Sequence, residues 1–363
     1  MNITFKRLGA VAAIAVAGSL VLSSCAANEE APAGGDSDST LSGTINGVGA
    51  SSMGSAQEAW IAAFQGENTG VTVNYDPAGS GAGREAFIAG GALFAGTDSA
   101  LSDDEIAGGF AGCATEGYIQ APAYISPIAV IFNVEGVDEL NLDAVTLANI
   151  FSGSITQWND PAIAALNEDA ELPAAPITAV HRSDDSGTTK NFADYLNKVA
   201  PEAWTSEPAD TFPFQSGEGA QGTSGVVEAV TNGTNTIGYA DASRAGDLGV
   251  AAIKVGDEFV AYTAEAAAAV VDGSPAVEGR DETDLAIKLD RNTTDPTQYP
   301  LVLVSYVIAC QEYEDASDAA NVKAYLTYIT SEAGQTEAAD QAGAAPLSAE
   351  LSGKVAAALA TIK

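Results

Sequence analysis

Apolar runs typical of buried strands alternate with helix-like stretches along most of this chain, and this alternation constrains the fold more than any other feature. The runs at 71–75 and 177–180 predict strands, and the stretch at 52–65 predicts an amphipathic helix. Two longer runs, 118–134 and 302–309, predict strands long enough to cross between two lobes. Alternation of this kind, with short turns between elements, predicts an α/β fold.

The expected folded part begins near residue 42 and continues to the C-terminus, a length that exceeds what one hydrophobic core usually serves. We therefore expect two lobes, connected by the two long strands. The first lobe would combine 42–122 with 303–363, and the second would comprise 123–302.

The N-terminus has the pattern of a targeting segment. Lys6 and Arg7 precede an apolar run at 8–22, and a Leu-Ser-Ser-Cys sequence that ends at Cys25 matches a bacterial lipobox. The run is shorter than the roughly 18–20 residues that a membrane-spanning helix needs. It therefore predicts a lipoprotein signal peptide over 1–24.

Lipidation of Cys25 would anchor the mature protein on the outer face of the cell membrane. The residues at 25–41 are small, polar or acidic and cannot pack a core, so they predict a flexible tether. Ordinary secretion with an incidental cysteine is the alternative.

Two further cysteines, Cys113 and Cys310, are far apart in the sequence. Outside the cytoplasm such a pair usually forms a disulfide, although two buried free thiols would fit the sequence as well.

The composition is strongly acidic, with 14 basic and 49 acidic residues and a net charge of −35. Loss of Lys6 and Arg7 with the signal peptide would bring the mature chain to about −37. This charge argues against nucleic acids and anionic lipid surfaces as partners. Any bound anion would have to be held by short-range hydrogen bonds inside a dry cleft.

Three strand-to-helix turns, at 47–52, 79–83 and 186–189, are rich in glycine and hydroxyl residues. Small residues let the backbone approach a ligand closely, and the first turn of a helix offers free N–H groups. Arg182 lies just before the third turn and adds a guanidinium. Together the three turns predict an oxyanion site.

Asp98 follows a predicted strand at the end where ligands bind in α/β proteins. A carboxylate repels a bound anion unless a proton lies between them. Phosphate keeps a proton near neutral pH and sulfate keeps none, so Asp98 would accept a hydrogen bond from phosphate and exclude sulfate. An Asx turn or a helix cap is the alternative role.

Other charged residues near these turns have more than one interpretation. Arg182 would either bind the anion or form a surface ion pair with Asp184 or Asp185, and Asp184 would alternatively orient Arg182. Arg84 is either a further cation near the site or a solvated helix residue. His181, the only histidine, is expected to pack at a strand end.

The chain resembles the phosphate-binding lipoproteins of bacterial phosphate ABC transporters, of the actinobacterial type, over essentially the whole mature sequence. The segments that carry the resemblance are Gly-Ala-Ser at 49–51, Gly-Ser-Gly-Ala-Gly at 79–83, Thr-Asp-Ser-Ala-Leu-Ser-Asp-Asp-Glu at 97–105 and His-Arg-Ser-Asp-Asp-Ser-Gly-Thr-Thr at 181–189, with support from 150–155, 158–161 and 237–239.

The resemblance implies a two-lobed periplasmic-binding-protein fold that closes on one inorganic phosphate in the cleft between its lobes. It also implies delivery to the permease subunits of an ABC importer, with no cofactor or metal. Many relatives have an aromatic residue where this chain has Ser52, so an aromatic wall is not expected here. The implied phosphate-binding residues are Ser51, Ser52, Ser80, Asp98, Arg182, Ser186, Gly187 and Thr188.

Two other functions remain as alternatives. Asp98-Ser99-Ala100 resembles the nucleophile tripeptide of alkaline phosphatases, but that chemistry needs zinc held largely by histidines, and the chain has one. A binder of another oxyanion, such as sulfate or molybdate, is the second alternative, against which Asp98 argues.

Overall fold

The computed structural model describes residues 41–363, in which strands and helices alternate as the sequence predicts. The strands are β1 (Gly43–Gly49), β2 (Val71–Asp76), β3 (Phe94–Thr97), β4 (Tyr118–Asn133), β5 (Asn141–Leu142), β6 (Thr178–Arg182), β7 (Glu218–Ala220), β8 (Thr236–Asp241), β9 (Gly249–Val250), β10 (Ala252–Val255), β11 (Glu258–Val260) and β12 (Val302–Cys310).

Helices fill most of the connections between these strands, and two short 3-10 turns cover Ser51–Met53 and Ala242–Arg244. The helices are α1 (Gly54–Glu67), α2 (Ser80–Ile88), α3 (Asp103–Gly108), α4 (Ala144–Phe151), α5 (Pro161–Ala164), α6 (Gly187–Val199), α7 (Gly222–Asn232), α8 (Ala264–Gly273), α9 (Ala316–Thr330), α10 (Glu332–Ala342) and α11 (Ala349–Ala360).

Eight strands form a continuous sheet in the order β2-β1-β3-β12-β4-β8-β6-β7, and β9 pairs with β4 beside it. The three strands at one end are parallel to one another, and so are β8, β6 and β7 at the other end. Between these parallel groups, β12 and β4 pair antiparallel with their neighbours. The prediction of an α/β fold is confirmed.

The long strand β4 connects the two parallel groups. From Tyr118 to Pro127 it pairs with β12, and from Ile128 to Asn133 it pairs with β8. The two long runs expected to cross between lobes therefore form the middle of the sheet. The lobe boundaries at 122 and 303 stay a prediction.

The C-terminal helices pack against helix α1 near the start of the described chain. The indole nitrogen of Trp60 in α1 donates to the carbonyl oxygen of Gly334 in α10 at 2.6 Å, and the ring of Phe64 lies edge-on to Tyr325 at 5.2 Å. This packing brings the two ends of the described chain together.

Two helices begin earlier than the sequence pattern predicts. The sequence pattern predicts helices at 84–88 and 193–199, whereas α2 starts at Ser80 and α6 at Gly187. The glycines in these first turns have a packing role: a Cβ on Gly83 would lie 2.5 Å from the Cα of Gly49. The predicted anion-binding turns are therefore themselves the first turns of helices.

The predicted disulfide is present: Cys113 and Cys310 are bonded, with their Cα atoms 5.3 Å apart. The bond connects the segment before β4 to the last residue of β12. In the part of the chain that the structure covers, no helix is long and apolar enough to span a membrane. The predicted signal peptide, Cys25 and most of the tether lie outside the described residues.

The double variant C113A/C310A should lose up to about 5 kcal/mol of unfolding free energy, because the bond closes a loop with a sequence separation of 197. Urea denaturation of the oxidised proteins measures the difference. Reductant should lower the stability of the wild type toward that of the variant and leave the variant unchanged. Coinciding curves for the oxidised wild type and the variant would contradict the prediction.

The carboxyl group of Asp241, the last residue of β8, is buried. Its Oδ1 accepts hydrogen bonds from the Tyr124 hydroxyl at 3.0 Å and from the backbone N–H and hydroxyl of Ser243, whereas Oδ2 is buried without a partner. Burial raises the pKa of Asp241 to about 6, although these hydrogen bonds oppose the rise. The folded protein therefore binds a proton at this carboxyl more tightly than the unfolded chain does.

D241N should remove a pH-dependent loss of stability. Because the folded-state pKa of Asp241 is raised, its protonated carboxyl stabilises the folded wild type fully below pH 4. This stabilisation is lost as the pH rises through about 6. The variant should match the wild type near pH 4 and exceed it at pH 8 by up to about 3 kcal/mol. Urea denaturation across this range provides the test, and a pH-independent difference would refute the prediction.

Candidate functional site

The carboxylate of Asp98, just after β3, is 5% exposed and is surrounded by hydroxyl groups. Its Oδ1 accepts hydrogen bonds from Ser52 and Ser305, each at 2.7 Å, and its Oδ2 accepts one from Thr188 at 3.0 Å. Burial raises the pKa of Asp98, and the three hydroxyls and the charge of Arg182 partly oppose the rise. A largely desolvated carboxylate therefore lies where a loop, a helix and a central strand meet.

The backbone of Asp98 is held as firmly as its side chain. Its N–H donates to the Ser80 hydroxyl at 3.1 Å, and its carbonyl oxygen accepts from the Asn191 amide at 2.8 Å. A Cβ on Gly187 would lie 2.6 Å from the Ser80 Oγ and 2.7 Å from the Asp98 Cβ. Only a glycine at this position lets the first turn of α6 come this close to Asp98.

Arg182, at the end of β6, is 3% exposed and is oriented by Asp184. Its Nε donates to Asp184 Oδ1 at 2.7 Å and its Nη2 donates to Oδ2. Partial burial opposes ionisation of Asp184, but its contacts with Arg182 prevail and lower the pKa of this carboxyl. Of the predicted alternatives, the Asp184 pair forms, and it is largely buried; Asp185 instead accepts from Thr211.

Ser51 connects the first predicted turn to the start of α7. Its Oγ lies 3.0 Å from the Thr223 Oγ1 and accepts the Thr223 N–H at 3.0 Å. The preceding N–H, of Gly222, donates to Asp184 Oδ1 at 2.9 Å. Through these contacts Ser51 belongs to the same hydrogen-bonded network as Arg182.

Arg84 is buried rather than solvated, so the second of its two interpretations is wrong. It donates to Glu105 at 2.8 Å, to Asp210 at 2.7 Å and to the Thr97 hydroxyl at 3.2 Å. Asp210 also accepts a 2.5 Å hydrogen bond from Ser99. Arg84 is thus a cation next to Asp98 whose charge is already paired with carboxylates.

The helix starts at the site differ in how they are capped. Ser186 caps α6 by accepting the Thr189 N–H, whereas neither the turn at Ser51–Met53 nor α2 receives a hydrogen bond from a capping side chain. Apart from the Gly81 N–H, which donates to the Asp185 carbonyl oxygen, the first-turn N–H groups of these two elements are therefore suited to an anionic ligand.

The structure brings all eight predicted binding residues into one connected neighbourhood. It adds three that the sequence analysis missed: Ser305, Thr223 and Asn191. Ser305 is a single hydroxyl in the apolar strand β12, and Thr223 follows a glycine at the start of α7, so each carried a weak signal. Asn191, inside a helix, carried none.

His181 packs at the end of its strand, as expected. Its ring stacks on Phe212 at 3.9 Å, and Nδ1 hydrogen-bonds with the Arg182 carbonyl oxygen. Within residues 41–363 it has no hydrogen bond to a serine hydroxyl, and no group of three or more His, Cys, Asp or Glu side chains is arranged to hold a metal. The described residues therefore give no support to a zinc-dependent or Ser-His hydrolase.

Comparison with known proteins agrees with this site. The family model of the PBP superfamily domain matches residues 34–333. The chain is 36% identical over 371 residues to the phosphate-binding protein PstS 3 of Mycobacterium tuberculosis, which covers 98% of this chain and 99% of that protein.

Two solved structures show the same fold. A high affinity periplasmic phosphate-binding protein, PfluDING, bound with phosphate, has a TM-score of 0.70 and 23% identity and covers 87% of this chain and 93% of its own. The phosphate binding protein from Stenotrophomonas maltophilia has a TM-score of 0.69 and 19% identity, and the match covers 87% of this chain and 94% of that one. The predicted two-lobed periplasmic-binding-protein fold is confirmed.

Replacing Gly187 by alanine should destabilise the site, because the added Cβ meets the Ser80 Oγ and Asp98 at 2.6–2.7 Å. We expect G187A to lose about 1–3 kcal/mol of unfolding free energy in urea denaturation.

G353A is the matched control, because a Cβ on this glycine of α11 would meet nothing within 4 Å. It should be neutral or up to about 1 kcal/mol more stable, as expected for alanine in a helix. Equal stability of the two variants would show that the close approach of α6 to Asp98 is not under steric constraint.

Proposed function

Because the chain belongs to the PBP superfamily and, within it, to the family of PstS phosphate-binding proteins, we propose that it binds one inorganic phosphate ion at the Asp98 site and delivers it to the permease subunits of an ABC importer. The observation that carries this proposal is a buried carboxylate surrounded by hydroxyl groups, uncapped helix starts and an oriented arginine. In a site for an anion that carries no proton, this carboxylate would only repel the ligand.

The phosphate oxygens have donors of three kinds. Arg182 supplies a guanidinium that Asp184 holds in one orientation, which reduces the ordering cost of binding. Backbone N–H groups that no capping side chain occupies lie at the start of α2 and of the turn at Ser51–Met53, where a helix start favours negative charge. The remaining donors are the hydroxyls of Ser51, Ser80 and Ser186 together with the N–H groups of Ser52, Gly187 and Thr188, whose own hydroxyl already donates to Asp98.

Asp98 makes the site selective for a protonated anion. A carboxylate has about four acceptor positions, and hydroxyls of this chain fill three of them. The fourth accepts the proton that phosphate carries at neutral pH. Sulfate has no proton to donate, so its oxygens would lie against a negative charge.

Closure around phosphate follows from contacts between the two parallel groups of strands. The first turn of α6 touches Asp98 and Ser80, and Ser51 touches Thr223 at the start of α7. A phosphate ion bonded to donors from both groups stabilises the conformation in which these contacts exist. We propose that the importer recognises this closed conformation.

The protein acts outside the cytoplasm, tethered to the membrane through a lipid on Cys25, and binds phosphate without hydrolysing an ester. The lipobox pattern supports the anchor, and the binding-protein relatives support the extracytoplasmic location and the absence of catalysis. The single histidine packed on Phe212 also favours binding over catalysis.

Calorimetry at neutral pH should show one tight phosphate-binding event per mature chain, at micromolar or tighter Kd, and no sulfate binding in that affinity range. Cys25 is replaced by alanine to avoid the lipid, and the protein is unfolded and refolded to remove bound phosphate. Equal binding of both anions would remove the role given to Asp98. Binding of neither would reject the proposed function.

D98N should lower the ratio of phosphate to sulfate affinity by about 10- to 100-fold, because an amide neither pairs as strongly with the phosphate proton nor repels sulfate. D241N is the matched control, since it removes another buried strand-end carboxyl. It should leave the ratio unchanged. An unchanged ratio in D98N would show that selectivity arises elsewhere.

A further inference from the structure

A cavity of about 310 Å³ has Asp98 in its lining but none of the proposed phosphate donors. It is bounded by the loop at 98–102, by one face of α6, by the segment at 280–291 and by β12. It shares the Asp98 wall with the proposed phosphate site, but Arg182 and Ser51 are absent from its lining.

The lining of this cavity is unusually basic for so acidic a chain. It contains five of the 14 basic residues of the whole sequence, which are Lys190, Lys198, Arg280, Lys288 and Arg291, against two carboxylates, Asp98 and Asp194.

The two arginines are already neutralised. Arg291 is buried and pairs with Asp194 at 2.9 Å, and Arg280 pairs with Asp103 at 3.2 Å and Asp284 at 3.4 Å. The charges of these two arginines are therefore already paired within the protein, and their ion pairs connect the walls of the cavity.

The three lysines have no such partner. Within residues 41–363, no carboxylate oxygen lies within 4.0 Å of the amino groups of Lys190, Lys198 or Lys288. The same is true of Lys254 and Lys323, which lie away from the cavity, whereas Lys354 and Lys363 each pair with a glutamate. Lys198 and Lys288 are exposed and Lys190 is half-buried. In a protein with 49 acidic residues, three lysines without a carboxylate partner thus line one cavity.

Helix α6 connects this cavity to the proposed phosphate site. Its first turn, at Gly187 and Thr188, touches Asp98, and Lys190 follows directly on the cavity side. Lys198 lies two turns further along the same face, so both lysines point toward one volume.

We propose that this cavity is a second, outer site for a phosphoryl oxyanion, held by Lys190, Lys198 and Lys288 next to the inner phosphate site. The inference rests on the proposed function and adds a second site to it. Its ligand is either free phosphate or the phosphoryl group of a small ester, since the cavity has room for either. The outer site concentrates the anion beside Asp98 although the rest of the protein repels it.

Nuclear magnetic resonance of the mature chain, with Cys25 replaced and lysines carrying ¹³C-methyl groups, tests this site. Methylation preserves the positive charge. The inner site is first filled with one equivalent of phosphate, and phosphate or glycerol 3-phosphate is then added to millimolar concentration. Signals are assigned by replacing each lysine in turn with arginine.

The three cavity lysines should shift together along one saturable curve, whereas Lys254, Lys354 and Lys363 should not. A response to phosphate alone identifies the free ion as the ligand, and a response to both compounds identifies the phosphoryl group as sufficient. No shift of the three, or an equal unsaturable shift of all six, would overturn the proposal.

Paired triple variants separate this inference from the function it rests on. K190Q/K198Q/K288Q should bind the first phosphate in calorimetry within about twofold of the wild type but lose the second event. K254Q/K354Q/K363Q, which has the same net charge, should keep both. Retention of the second event in the first triple variant would refute the outer site, whereas absence of the first event in the wild type would refute the proposed function.

Discussion

Burial of the Asp98 carboxylate is the constraint on which the other features of the site depend. A carboxylate removed from water must receive hydrogen bonds, and here they come from Ser52, Thr188 and Ser305. Ser305 lies 207 positions from Asp98, so distant parts of the chain have to meet around one side chain. The glycine at the start of α6 is the steric counterpart of this requirement, since any Cβ there would hold the helix away.

Much of the fold could be read from the sequence because burial leaves a clear pattern. The two central strands, β4 and β12, are long apolar runs, and the Ser-Asp-Asp-Glu sequence at 102–105 predicts the capping box that starts α3. Helix α10 was not predicted, since it is rich in Ala, Gln and Glu and has no apolar stripe. Its position depends on Gly334 meeting Trp60, a contact between residues 274 positions apart.

The site was predictable to the extent that its chemistry lies in short motifs. Arg182, Ser186 and Gly187 are neighbours in the sequence, and so their shared role could be inferred. Ser305 in β12, which donates to Asp98, and Thr223 in α7, which contacts Ser51, come from elsewhere in the chain. Neither lies in a local motif. The absence of a carboxylate partner for the three cavity lysines is likewise a tertiary property, because it depends on how distant parts of the chain are arranged around them.

The position of β12 in the sheet has a consequence for the order of folding. Strand β3 has β1 on one side and β12 on the other, and β12 is also the partner of β4 as far as Pro127. When the chain emerges N-terminus first, the edges of β3 and β4 stay open until more than 150 further residues have followed. Unpaired strand edges promote aggregation, so β3 and β4 are protected along these edges only after β12 has joined the sheet, and the disulfide can close only after residue 310 has appeared.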